Sequence, residues 1–170
     1  MRRIPVFVSA PSKLSLEQVA SRDVVFTLMD ELQLEPRTLG ASDYPEVFPL
    51  REVAVIAKHC SGGVILGFEQ FVATAGVRKA GTDVEESLKT GELAAFPTPW
   101  NHLEAGILFG LGLPLMIFRE ASITGGVFDP GVTDVFVHKM PLKTIDAANR
   151  LALKQVFLRW YAKVSEHYYR

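Results

Sequence analysis

The chain has 170 residues, 22% charged and 48% hydrophobic, which suits a single domain spanning 1–170 with its own core and excludes a disordered chain. Eighteen basic against nineteen acidic side chains leave a net charge of −1, so neither a polycationic face for nucleic acid nor an acidic tail is expected. Cys60 is the single cysteine and cannot form an internal disulfide; a reducing, cytoplasmic setting is the expectation. The first apolar run is far shorter than a signal-peptide core. The uncharged run 105–118 is too short to span a bilayer and contains Pro114, so no membrane partner is expected.

In chain order, 4–9 (IPVFVS) reads as a buried strand, β-branched and aromatic, closed by Ala10-Pro11. A helix follows over 15–34, with Ser15 as N-cap, Gln18 as its capping-box partner, and Val19, Val24, Leu28 and Leu32 on its apolar stripe. A short strand is expected at 37–39 and a helix at 49–59, with Pro49 in its first turn. GVILGF, at 63–68, is apolar at consecutive positions, as a strand covered on both faces should be.

Residues 69–97 exceed the usual connection length, so the stretch is expected to be functional, mobile, or to contain a short helix around 84–89. The next helix runs over 99–113, with Thr98 as N-cap and Pro99 at the first helical position. A strand at 115–118, a turn-rich loop at 124–130 and a last strand at 134–138 follow. The closing helix spans 144–168 and buries Ile145, Ala148, Leu151, Ala152, Phe157, Trp160 and Val164. Such alternation predicts a flavodoxin-like, doubly wound α/β fold: a five-stranded parallel sheet, strand order 2-1-3-4-5, with helices on both faces. Ligands bind such sheets beyond the carboxyl ends of the strands, which directs attention to the loops after 9, 39, 68, 118 and 138.

Several chemistries fail on the residues. The phosphate loop G-x-x-x-x-G-K-[ST], the G-x-G-x-x-G turn and the G-x-S-x-G elbow are absent. His102-Leu103-Glu104 matches half of a zinc deaminase motif, but the paired cysteines of the other half are missing, and no metal site is expected. What remains is Glu104, the one formal charge in the stretch 99–118. In the second turn of a largely apolar helix, near the strand-end rim, its carboxylate is partly desolvated and suited to facing a developing cation. The bland alternative is a carboxylate that reaches solvent or pairs with an arginine such as Arg119.

Around Glu104, Trp100 and Asn101 share the first turn, Trp100 suited to stacking on a base and Asn101 to a sugar hydroxyl. Ser9 and Pro11 end the first strand, where a hydroxyl and backbone amides meet phosphates. Phe68 and Glu69 end the second clear strand, Phe68 as a wall for base or sugar and Glu69 as a second carboxylate. Tyr44, Arg78, Lys79 and Asp83 are less specific candidates on long loops, and Phe128 and Asp129 are placed to fold over the site.

The strand VFVSAPS, the strand VILGF and the helix–strand pair WNHLEAGILFGLGLPLMIF resemble the nucleoside 2-deoxyribosyltransferase-like group, which is related in fold to TIR-like domains. In those transferases the nucleophilic glutamate lies on a helix of the Glu-x-Gly-x-Ala type, followed by a Gly-x-Pro turn and an apolar strand. Glu104-Ala105-Gly106 and Gly112-Leu113-Pro114 stand at matching places. The transferases approach the glutamate with aspartates, where this chain has PTPWNHLE.

The resemblance implies cleavage or transfer at the N-glycosidic bond of a nucleoside, nucleotide or NAD-like dinucleotide. Glu104 would be nucleophile or oxocarbenium stabiliser. No resident cofactor is implied, NAD or a nucleotide being substrate, and a homo-oligomer is an expected state. Two alternatives stand beside this: a non-catalytic nucleotide sensor, and a TIR-like interaction module using the aromatic end of the last helix, Trp160, Tyr161, Tyr168 and Tyr169.

Overall fold

A computed structural model describes residues 3–39, 48–141 and 146–170. Strand β1 (Ile4–Ser9) lies inside a five-stranded parallel sheet, flanked by β2 (Leu34–Arg37) and β3 (Gly63–Gly67). Four short strands intervene before the sheet resumes: β4 (Phe71–Ala73), β5 (Val77–Arg78), β6 (Glu86–Ser87) and β7 (Ala94–Phe96). Strand β8 (Leu115–Arg119) then pairs with β3, and β9 (Val137–Lys139) closes the far edge. The order is β2-β1-β3-β8-β9; with the four short strands left out of the numbering, it is 2-1-3-4-5.

Helices cover both faces, and the alternation of side chains along each strand separates two cores. Val6 and Val8 of β1, Val64 and Leu66 of β3, and Met116 and Phe118 of β8 point to one side. There they meet helix α1 (Leu16–Glu31) through Val25, Leu28 and Met29, and helix α4 (Ala147–Tyr168) through Phe157, Trp160 and Val164. Phe7, Ile65 and Ile117 point to the other side, against Val53 and Ile56 of α2 (Pro49–Lys58) and Ala105 and Leu108 of α3 (Pro99–Gly110). Gly67 is required by packing, because the ring of Phe128, in the 3-10 turn Gly126–Phe128, occupies the space of a Cβ.

The helix boundaries follow the local signals. Ser15 and Gln18 form the reciprocal capping box that starts α1. Thr98 caps α3 and Pro99 opens it. That helix stops at Gly110 rather than at 113, because Gly112 takes the left-handed conformation (φ 69°). Its N–H reaches Phe109 O at 2.9 Å and that of Leu113 reaches Leu108 O at 3.1 Å, a Schellman closure. Gly112 therefore lies beyond the helix and not within it.

Other expectations are corrected. The second strand starts at Leu34, not 37: α1 ends earlier, Gln33 turns the chain at φ 56°, and Pro36 is tolerated because β2 is an edge strand. No helix forms at 84–89, where β6 pairs antiparallel with β5. The last strand is displaced to Val137–Lys139. On α4 the buried stripe begins later, since Ala148, Leu151 and Ala152 are exposed while Leu153 and Val156 pack on the core. Ile145 lies outside the described residues. Among the described residues no helix is long and apolar enough to cross a membrane.

Candidate functional site

The carboxyl end of β1 and the first two turns of α3 meet at three buried polar side chains: Ser9, Asn101 and Glu104. The N-cap sets their positions. Thr98 Oγ1 accepts from Asn101 N at 3.3 Å and donates to Asn101 Oδ1 at 3.1 Å, which fixes the amide's orientation. Asn101 Nδ2 then donates to Ser9 Oγ at 2.8 Å and lies 3.4 Å from Leu66 O, fastening the start of the helix to β1 and β3. Glu104, three positions on and so on the same helix face, turns its carboxyl toward the Ser9 hydroxyl.

This environment sets the acidity of Glu104. The residue is only 8% exposed. Burial pushes its carboxyl up to about 7, opposed by the hydrogen bond from Ser9, which favours the ionised form. Among the described residues no ion pair is made to Glu104. Arg119, the arginine expected as a possible partner for it, instead donates to Ile123 O. The site therefore holds a desolvated carboxyl beside a hydroxyl that Asn101 fixes in place, and that carboxyl changes charge near neutral pH.

The other candidates divide. Trp100 is 42% exposed in the first turn of α3, beside the polar trio and open to a ligand. Pro11 is half-buried in the loop after β1. Phe68 is corrected: it is fully buried among Val8, Val64, Leu66 and Phe118 and presents no ring face to a ligand. Ser9 is corrected in role, because its buried hydroxyl is engaged by Asn101 and Glu104 and is not free for a phosphate.

Glu69 belongs to a second polar group at the ends of β3 and β8. Its N–H donates to Glu120 Oε2 at 2.5 Å, and its carboxylate accepts from the Ser122 hydroxyl. Gln18 Nε2 bridges Glu69 O and Glu120 Oε2, each at 3.1 Å. No hydrogen bond or ion pair joins this group to Glu104 among the described residues, so Glu69 stands at the rim in a polar group of its own. Glu120 was missed by sequence reasoning, although it directly follows β8 and the strand-end rule covers it.

Arg78, Lys79 and Asp83 lie on the exposed β5–β6 ribbon, and Tyr44 lies outside the described residues. His102 faces away from the trio, edge-on to Phe128 at 5.4 Å, and burial holds its imidazole below its ordinary value. Trp160 is corrected as a surface residue, being buried with its indole N–H donated to Pro114 O. Among the described residues no group of three metal-ligating side chains is assembled. No protein-family model, curated protein or solved structure matches the chain.

Proposed function

We propose that the protein cleaves or transfers at the N-glycosidic bond of a nucleoside, nucleotide or NAD-like dinucleotide, as the resemblance to the nucleoside 2-deoxyribosyltransferase-like and TIR-like groups implies. One observation carries this reading: a buried carboxyl, Glu104, held by Ser9 at a strand end with no cation paired to it among the described residues. Such a group gains most when positive charge develops beside it. As the base departs with the electrons of the N-glycosidic bond, the anomeric carbon becomes electron-deficient. The Glu104 carboxylate stabilises that charge or closes on it as an ester. Water, or a second base, then takes the anomeric carbon and releases the carboxylate. Ser9, itself held by Asn101, orients the carboxylate, and Trp100 is the available ring for stacking on a base.

The test is chromatographic detection of released base from NAD and a panel of nucleosides and nucleotides. The parent should turn over at least one of them, at a rate that rises with pH through about 7 as Glu104 ionises. Glu104→Gln should lose roughly a hundredfold or more. A variant that matches the parent rate overturns the mechanism.

A second reading, a non-catalytic nucleotide-binding or interaction module, draws on a different observation. Phe71, Val72, Leu93 and Phe96 are exposed on the 69–97 segment, the rings of Phe71 and Phe96 6.2 Å apart, and Trp100 and Leu103 are exposed on α3, more apolar surface than isolated side chains require. Thermal stabilisation by a nucleotide with no base released would favour it.

A further inference from the structure

At the β9 edge of the sheet, β9 pairs only with Ile117, Phe118 and Arg119 of β8, leaving Leu115 and Met116 without a partner in β9. Beside them a groove of about 700 Å³ opens between the end of α3, the segment entering β9, and α4. That volume lies in the range of small-molecule sites, roughly 300–1,000 Å³. Its floor is Met116 and Trp160, both buried, and its walls carry Phe109, half exposed, and Phe136, 85% exposed. A phenyl ring as open as that of Phe136 gains by being covered.

The polar rim is cationic. Arg159 and Lys163 stand four residues apart on α4, hence on one face, where like charges repel. The ion pairs of α4 run from Arg150, Lys154 and Arg170, and among the described residues none runs from Arg159 or Lys163. Two other titratable groups line the groove. Asp134 offsets part of the charge, and burial pushes the His138 imidazole below its ordinary value, so at neutral pH it adds none. The balance is an apolar trough with one net positive charge at its lip.

We propose that this groove binds a small amphipathic carboxylate, its acyl body lying on Met116, Trp160 and Phe136 and its head group held by Arg159 and Lys163. Charge complementarity at the lip adds to an apolar trough of small-molecule size, and neither depends on any chemistry at Glu104. A flexible single chain fits an open groove of this kind better than a rigid polar ligand, because few polar atoms line its floor.

Decanoate is the probe. In a Trp100→Phe background Trp160 is the remaining indole of the two in the chain, so its fluorescence reports the groove directly. Decanoate should give a saturable change below its micellar concentration, while 1-decanol, lacking the charge, should bind about tenfold more weakly. The double substitution Arg159→Gln with Lys163→Gln, at two exposed positions, should erase that difference and leave decanol binding unchanged. Equal affinity for the two probes, no effect of the double substitution, or no saturable signal overturns the proposal. So does sedimentation as a dimer that Phe136→Ala dissociates, which would give the groove to a second copy of the chain.

Discussion

Ionising Glu104 costs the folded state solvation that the unfolded chain would supply. In the unfolded chain the carboxyl titrates near 4.5, and in the fold at about 7. Between those values the folded state holds the extra proton, so its stability is full below about 4.5 and falls as pH rises through 7. The loss is on the order of 3 kcal/mol once ionisation is complete. Glu104→Gln removes that dependence. Its denaturation midpoint should exceed the parent's at pH 8 and above, and the two should converge toward pH 5; equal pH profiles in urea titrations would contradict the assignment.

At the scale of elements, glycines and caps decide where helices and strands fit together. Gly67 ends β3 directly over the Phe128 ring, which is fully buried. Gly67→Ala must displace that ring and should destabilise the protein by roughly 1–3 kcal/mol, measured by chemical denaturation. The larger Phe128 side chain should also become the better target for rescue: Phe128→Leu in the Gly67→Ala background should recover part of the loss. The helix starts were legible in the sequence because their signals are local. Ser15 with Gln18, and Thr98 with Pro99, carry the hydrogen bonds and fixed dihedral that begin a helix within four residues. Strand limits were not. Leu34 enters β2 through Gln33, whose positive φ no glycine announces, and β9 is limited to the three residues that pair with β8. Pairing, not composition, sets such ends.

Across the whole molecule, the parallel sheet and its two covered faces could be read from consecutive apolar strands, since burial on both sides leaves no polar position to alternate. Glu104 was legible for the same reason, as a charge where its surroundings allow none. The network that holds it was less so: Ser9 and Asn101 are 92 residues apart in sequence, and no local pattern records that they meet. Phe68 misled because a strand-end position points either to the rim or into the core, and its own alternation with Leu66 chooses the core. The two ribbons of 69–97 carry no helical or strand periodicity strong enough to announce strands of two or three residues.

That segment is closed at its base by backbone pairing. Gln70 N donates to Phe96 O at 2.9 Å, and Ala73 stands opposite Ala94 in the β4–β7 pair. The chain leaves and returns at nearly the same place, so everything between 73 and 94 hangs from a hairpin already in register. Replacing 74–93 with Asn-Gly, the dipeptide that favours a tight two-residue turn, should leave a shorter protein that still melts cooperatively, as seen by circular dichroism. The excursion is thereby separable: a detachable cassette on a self-sufficient scaffold, whose removal tells apart what the sheet does from what its appendage adds.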